Sequence, residues 1–122
     1  MTLRELYDAL GGSYDDAVGR LRSERLVSRM VQKFPNDASC ERAISAWEAG
    51  DARAAFEAAH EAKGVCSNLY LTRLQERANA VCEALRPGSE SLGHAEVDGL
   101  VELLREEHAA TVSEIARYVA SL

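Results

Sequence analysis

Apolar residues recur every three to four positions along most of the chain, a spacing typical of helices that bury one face. The longest stripe predicts an extended final helix, and its members are Val97, Val101, Leu104, His108, Val112, Ile115 and Val119. A second stripe predicts a helix from about Ala52 to Asn68 or Leu69, and consists of Ala55, Ala58, Ala62, Val65 and Leu69. No segment alternates between apolar and polar residues as a half-buried strand does. The pattern therefore predicts an all-α protein.

Helix stop and start residues divide the rest of the chain into shorter helices, the first of them from Leu3 to Leu10. The stop signals are Gly11-Gly12, Phe34-Pro35-Asn36-Asp37, Gly50 and Pro87-Gly88. The candidate N-terminal caps are Ser13 or Asp15, Ser23, Ser39 and Asp51. Residues 88 to 94, which include His94, are predicted to form a polar loop.

The connections between these helices are short, which favours antiparallel neighbours. We therefore predict an antiparallel up-and-down four-helix bundle with an additional N-terminal helix. The alternative is a less regular all-α fold. A length of 122 residues corresponds to one domain. Within it, an N-terminal helical segment of about residues 1–22 would precede a bundle of about residues 23–122.

Composition and charge limit the classes of partner that we expect the protein to bind. The chain has 14 basic and 20 acidic residues, and no basic block stands out, so we do not expect nucleic-acid binding. The first residues, Met1 to Asp8, are charged and amphipathic, unlike a secretory signal. No apolar run approaches the ~20 residues that span a bilayer. We expect a cytoplasmic protein that does not enter a membrane.

The three cysteines, Cys40, Cys66 and Cys82, give an odd number and contain no Cys-x-x-Cys pair. Neither a disulfide framework nor a structural zinc site is expected from that count and spacing. Cys66 falls near the second apolar stripe, where a cysteine behaves as a small buried hydrophobic residue. We expect no metal and no cofactor in the chain itself.

His60 lies on the helix of the second stripe, on the side away from the core. A helix turns by about 100° per residue, which places His60 roughly opposite Ala58 and Ala62. The residues on its own side are Arg53, Phe56, Lys63, Gly64 and Ser67. Neutral imidazole is a good nucleophile, and an exposed helical position leaves one ring nitrogen free to attack.

The neighbours of His60 suit one chemistry. Lys63 lies within reach of groups bound to the ring and could neutralise phosphoryl oxygens. Gly64 costs roughly 1 kcal/mol relative to alanine inside a helix, which suggests that space is needed beside His60. Phe56 and Ser67 are candidate partner-binding residues, although Phe56 could equally pack between helices. No phosphate-binding loop, metal ligand set or orienting carboxylate completes an enzyme site, so the pattern indicates a carrier.

The motif His-x-x-Lys-Gly, formed here by His60, Lys63 and Gly64, resembles the signature of histidine-containing phosphotransfer (HPt) domains. The flanking residues that share the resemblance are Glu48-Ala49-Gly50-Asp51, Phe56-Glu57-Ala58-Ala59, Val65-Cys66-Ser67-Asn68-Leu69 and Thr72-Arg73-Leu74. Two positions depart from the family pattern. Ala62 stands where the family often has leucine, and Tyr70 stands where it usually has a glycine or another small residue. Ala62 would affect core packing, and Tyr70 the turn after the helix.

The resemblance implies a role in a multistep two-component phosphorelay. His60 would accept a phosphoryl group from an aspartate of a receiver domain and pass it to another receiver, with Lys63 stabilising the phosphate and Gly64 giving clearance. The implied partners are response-regulator receiver domains and a hybrid sensor histidine kinase. The receiver would supply the Mg²⁺ and the catalytic pocket, so the chain would be a carrier and not an enzyme. Nothing in the sequence demands a dimer, and we expect a monomer.

Two alternatives use the same surface. The first is a phosphorylation-silent helical adaptor that docks receiver domains or other partners. The second, weaker, is a phosphoacceptor module of a chemotaxis-type kinase. The other histidines have simpler interpretations, since His94 is expected in solvent and His108 lies on the apolar stripe of the final helix.

Overall fold

The computed structural model describes residues 1–89 and 92–122, and in these ranges the chain forms helices and turns without a strand. The helices are α1 (Leu3–Leu10), α2 (Tyr14–Leu21), α3 (Glu24–Lys33), α4 (Ser39–Glu48), α5 (Ala52–Asn68), α6 (Thr72–Leu85) and α7 (His94–Ala120). A single 3₁₀ turn, Phe34–Asn36, joins α3 to α4. The predicted all-α class is confirmed. No helix in the described ranges is both long enough and apolar enough to cross a membrane.

Four helices form the bundle. Helix α5 packs against α4 on one side and α6 on the other, and α7 closes the bundle by packing against both α6 and α4. The largest fully buried side chains of these four helices and of the turns between them are Leu71, Leu74, Leu104, Ile115, Val81 and Thr111. Helix α1 covers one side of α7 and α6, and α2 leads into α3. The predicted bundle with additional N-terminal helical structure is therefore confirmed.

Local capping explains where most helices begin. The side chains of Ser13, Ser23 and Asp51 each accept a hydrogen bond from a backbone N–H three residues later, at 3.0 to 3.2 Å. The prediction of Ser39 as a cap is wrong, because α4 begins at Ser39 itself. The carboxylate of Asp37 accepts hydrogen bonds from both the backbone N–H of Ser39, at 2.9 Å, and its hydroxyl. The acceptor that starts this helix therefore lies two residues earlier than predicted.

The buried stripe of α7 differs from the predicted one at two positions. Thr111 and Tyr118 are buried, whereas Val112 is half-buried and Val119 is 43% exposed. The buried residues of α7 are separated by alternating steps of four and three residues. This spacing places Thr111 and Tyr118 in the core instead of Val112 and Val119, the residues that follow them. The polar groups have hydrogen-bond partners: Thr111 Oγ1 donates to a backbone carbonyl at 2.8 Å, and the Tyr118 and Ser28 hydroxyls lie 2.6 Å apart.

The predicted polar loop is shorter than expected, because α7 begins at His94. The Glu96 carboxylate accepts a hydrogen bond from the Gly93 N–H at 3.4 Å, which places the start of the helix here. His94 is exposed, as predicted, and its ring stacks on Trp47 with centroids 4.8 Å apart. Residues 90 and 91 of the predicted loop lie outside the described ranges.

The N-terminal helices are attached to the end of α5. The Tyr7 hydroxyl donates to the Leu69 carbonyl at 2.7 Å, and the Ser13 N–H donates to the Tyr70 carbonyl at 3.1 Å. A Cβ atom at Gly12 would lie 2.6 Å from that Tyr70 oxygen, so this contact requires glycine. Tyr70 adopts a left-handed conformation with φ of 54° in the turn between α5 and α6, where the sequence places it. These contacts fix the C-terminal end of the helix that carries His60.

Candidate functional site

Helix α5 exposes His60 because small residues bury its opposite face. The buried residues of this helix are Ala55, Ala58, Ala59, Ala62 and Cys66. Alanine side chains allow α4 and α6 to pack closely against α5 without adding bulk. Ala59 was not predicted to be buried, and Val65, predicted in the stripe, is half-buried. The predicted orientation of His60 agrees with the structure, in which its side chain is exposed.

The structure places the other predicted site residues on the same face of α5. The Phe56 ring, half-buried, stacks on the His60 ring with centroids 6.2 Å apart and an interplanar angle of 23°. Lys63 and Ser67 are half-buried and Gly64 is exposed. A Cβ atom built on Gly64 would meet nothing within 4 Å, so packing within this chain does not require glycine there. The functional roles of these five residues stay predictions.

Helix α6 and the residue that follows it, Arg86, contribute three side chains to the site that the sequence analysis did not assign to it. Cys82 is fully buried and its Sγ lies 3.9 Å from His60 Nδ1. Arg86 places its guanidinium carbon 5.5 Å from the centre of the Phe56 ring. The same guanidinium donates two hydrogen bonds to the Glu83 carboxylate, at 2.8 and 3.1 Å. Cys82 lies within α6, whereas Arg86 follows the last helical residue with φ of −58° and ψ of 128°, so helical spacing does not predict its position.

The site contains more positively charged side chains than negatively charged ones. The hydrogen bonds from Arg86 lower the pKa of Glu83, with smaller contributions from the charges of Arg86 and Lys63. Burial raises the pKa of the Cys82 thiol, and the nearby cations Lys63 and Arg86 oppose that change only partly. The thiol therefore stays protonated at neutral pH. The neutral Cys82 thiol contacts the His60 ring, and the charges of Lys63 and Arg86 act on Cys82 and on Glu83 beside it.

The two glutamates nearest His60 in sequence are engaged elsewhere. Glu57 pairs with Arg53 at 3.1 Å, and Glu61 pairs with Arg42 of α4 at 2.6 Å. All four side chains are at least half exposed, as expected for solvated surface charges. Neither carboxylate makes a hydrogen bond to the His60 ring among the contacts of the described residues. The arrangement is that of an exposed histidine without an orienting carboxylate among the described residues.

The remaining polar groups add no second site of this kind. In residues 1–89 and 92–122, no three histidine, cysteine, aspartate or glutamate side chains cluster so that they could hold a metal ion. His108 lies in the core with its ring edge against Phe34, at 6.2 Å between centroids. His94 lies at the start of α7, beside Trp47. Both residues belong to α7 and not to the helix that carries His60.

Comparison with protein families identifies the class. The family described as Hpt domain matches residues 23–116, and the chain therefore belongs to that family. This match confirms the predicted family. Hpt domains are helical phosphotransfer modules of phosphorelay systems. The match begins at the cap of α3 and includes His60, Lys63 and Gly64, whereas α1 and α2 precede it. Comparison with curated proteins and with solved structures found no match.

Proposed function

We propose that the chain is a phosphoryl carrier of a multistep phosphorelay, with His60 as the phosphoacceptor. His60 would receive the group from an aspartate of one receiver domain and pass it to an aspartate of another. Receiver domains of response regulators and of a hybrid sensor kinase are the proposed partners, and the expected cytoplasmic location is part of the same proposal. The observation that carries it is the exposure of His60 on α5, one turn from Lys63 and Gly64.

The chemistry of this proposal uses the outer nitrogen of the ring. Nδ1 lies 3.9 Å from the buried sulfur of Cys82, so an approaching phosphorus can reach Nε2 more easily. The Nε2 lone pair attacks the phosphorus of the aspartyl phosphate, the Nε2–P bond forms, and the P–O bond to the aspartate breaks. The carboxylate leaves with the electron pair. Onward transfer runs the same step in reverse on the second receiver.

Lys63 would stabilise the phosphoryl group once it is on the ring. A lysine three residues along the helix can bring its ammonium group to the phosphoryl oxygens. Arg86 gives a second cation near the ring, held by Glu83 and the face of Phe56. In this proposal the Mg²⁺ and the acidic pocket belong to the receiver. Phe56 and Ser67 lie on either side of His60 and would contact the docked receiver.

A phosphotransfer assay tests the proposal. The chain is incubated with receiver domains from the same genome that carry labelled phosphate on their aspartate. We expect acid-labile, alkali-stable label on the wild-type chain and on His94→Gln, because His94 is an exposed histidine on another helix, α7. We expect no label on His60→Gln.

Two results would contradict the proposal in different ways. Label on His60→Gln equal to that on wild type would show that another residue accepts the phosphoryl group. Binding of phosphorylated receivers to the folded wild-type chain, with no label transferred from any of them, would favour the phosphorylation-silent adaptor. Circular dichroism of each variant establishes that loss of label does not reflect loss of fold.

A further inference from the structure

The arginines of this chain differ in whether they have an ion-pair partner. Most of them lie 3.4 Å or less from a carboxylate, and these are Arg4, Arg42, Arg53, Arg73, Arg86, Arg105 and Arg117. Four exposed arginines make no ion pair among the contacts of the described residues, and we call them the basic face: Arg20, Arg22, Arg25 and Arg29. They lie between the last turn of α2 and the middle of α3. The other arginine without an ion pair, Arg77, is half-buried on α6.

The basic face stands out in an acidic protein. The chain has 14 basic and 20 acidic residues, yet Glu24 is the only acidic residue between positions 20 and 29. Arg25 and Arg29 are one turn apart on α3, a spacing at which like charges repel. Arg25 also lies in the first turn, where a cation opposes the helix dipole. The arrangement is unfavourable for the isolated chain and would become favourable against an acidic partner.

The basic face lies near the part of α5 that follows His60. A groove of about 280 Å³ lies between α3 and the C-terminal half of α5, and its walls include Met30, Val65 and Asn68. Asn68 is two turns after His60, about 12 Å along the helix. An ordinary protein interface covers about 800 Å² on each partner, which corresponds to a radius of about 16 Å. A receiver centred on His60 would therefore extend to this groove, and the exposed arginines of α3 would border it.

A second copy of the chain offers no matching acidic surface. Seven glutamates of the described residues already have partners within the chain, namely Glu48, Glu57, Glu61, Glu83, Glu102, Glu107 and Glu114. Those described carboxylates that neither pair nor cap a helix lie one each on α1, α2, α3, α4, α6 and α7, and they are Asp8, Asp16, Glu24, Glu41, Glu76 and Glu106. The receiver, in contrast, brings an acidic pocket to His60 in the proposed function.

We propose that the basic face recruits the receiver domain to His60 by attracting acidic side chains on the receiver surface that borders its phosphorylation pocket. This inference rests on the proposed function of His60. Charges at the border of an interface raise the rate of association more than the lifetime of the complex. Arg20 and Arg22 precede residue 23, where the family match begins, so part of the basic face lies outside the family domain. The receivers that this chain serves best are those with an acidic rim on the side that covers α3.

Association kinetics test the inference without phosphoryl transfer. The His60→Gln chain is mixed in a stopped-flow instrument with receiver domains from the same genome, at several salt concentrations. In this background we expect Arg25→Gln/Arg29→Gln to lower the association rate constant by about three- to tenfold at low salt and to change the dissociation rate constant little. The difference should shrink as salt is added, because mobile ions screen the charges.

Arg105→Gln/Arg117→Gln is the matched control. It removes two exposed arginines of α7 and changes the net charge by the same amount, so it should associate at the rate of the His60→Gln parent. Glutamine is a good helix former, so both double variants should fold, which circular dichroism checks. With His60 restored, Arg25→Gln/Arg29→Gln should slow transfer at limiting receiver concentration and leave the rate at saturating receiver unchanged.

The outcomes separate this inference from the proposed function. Equal association rates for the parent and Arg25→Gln/Arg29→Gln would overturn the inference, as would equal losses in both double variants. Binding of a DNA duplex or of phosphatidylglycerol vesicles that depends on Arg25 and Arg29, with unchanged receiver association, would overturn the receiver as the partner of the basic face. Receiver association that depends on the basic face, without label on wild type, would contradict phosphotransfer and support the basic face as a docking surface. No association with any receiver would overturn both.

Discussion

Two histidines lie in the middle of long helices of this bundle, and their surroundings are opposite. His60 on α5 is exposed, with a glycine one turn away and open space around it. His108 on α7 is only 7% exposed, and its ring meets the Phe34 ring edge on. The same side chain is thus a candidate nucleophile in one helix and part of the core in the other. The helix face that a residue occupies decides which chemistry its side chain can perform.

The two sites also differ in charge. Lys63 and Arg86 lie near His60, where they suit an anionic adduct. Burial lowers the pKa of His108, so its ring stays neutral, and its Nε2 has no hydrogen-bond partner among the described residues. Its predicted place in the core is correct. We call the two surroundings the open site of His60 and the closed site of His108, and the following tests probe the difference between them.

The largest effect is expected from filling the open site. Gly64→Gln should slow transfer from a receiver by at least about tenfold, since a steric cost of about 1.4 kcal/mol already corresponds to that factor. A Cβ atom at position 64 meets nothing within 4 Å in this chain, and the side chain beyond it would occupy space that the proposed docking of a receiver requires. The same change should stabilise the helix by up to about 1 kcal/mol. Transfer rates at several receiver concentrations and thermal unfolding measure the two effects.

Gly99→Gln is the matched control for that test. Gly99 lies inside α7 with no atom within 4 Å of a built Cβ, so the variant should share the gain in helix stability. Its transfer rate should equal that of wild type, because it is on another helix. If Gly64→Gln and Gly99→Gln transfer equally well, the glycine beside His60 is merely tolerated and the open site has no function in docking.

The open site was predictable in part, for physical reasons. The limits and orientation of α5 follow from local features, namely the cap at Asp51 and the alanine stripe, and these place His60 correctly. The contributions of Cys82 and Arg86 depend on how α6 packs beside α5, which is a tertiary property. No local sequence pattern in α6 specifies which neighbouring helix it packs against. The sequence therefore located the candidate nucleophile but not the side chains that α6 and the residue after it bring beside it.

The closed site shows a different limit of sequence reasoning. Hydrophobicity favoured Val112 and Val119 for the core, whereas Thr111 and Tyr118 occupy it. Each of these polar residues is tolerated because its hydroxyl has a hydrogen-bond partner, and a partner 90 residues away, as for Tyr118 and Ser28, cannot be read from spacing. His108 is buried beside them. A pattern of apolar residues thus fails to predict the core positions that polar residues occupy.

A smaller effect is expected from removing the cation at the open site. Lys63→Ala should shorten the lifetime of the phosphohistidine, or slow its formation, by about three- to tenfold, because a charged hydrogen bond to the phosphate is lost in a partly exposed position. The fold should be unaffected, since Lys63 makes no ion pair among the described residues. Loss of label from the isolated phosphorylated chain measures the lifetime without any contribution from docking.

Lys33→Ala provides the comparison for that measurement. Lys33 is the chain's other lysine and is exposed at the end of α3. Its removal changes net charge by the same amount but leaves the surroundings of His60 intact. Equal lifetimes for wild type, Lys63→Ala and Lys33→Ala, together with equal transfer rates, would remove Lys63 from the mechanism.

The smallest effect concerns the closed site and appears in stability rather than transfer. Because burial lowers the pKa of His108, the unfolded chain binds a proton more readily than the folded chain between the folded pKa and the ordinary value of about 6.5. The stabilisation that neutral His108 contributes is therefore fully present at pH values above its ordinary pKa. It is lost as the pH falls from that value to the lower pKa of the folded protein. Asp37 and Glu41 oppose the shift without reversing it. Urea unfolding at pH 7.5 and at lower pH should show this loss.

His108→Leu separates the closed site from the open one. The variant has no titrating group at position 108, so its stability should fall less between neutral and mildly acidic pH than that of wild type. Label transfer to His108→Leu should be unchanged while the bundle is folded. A variant with the wild-type slope would show that His108 is not held neutral in the folded protein. Loss of labelling in the folded variant would show that the two histidines are not independent.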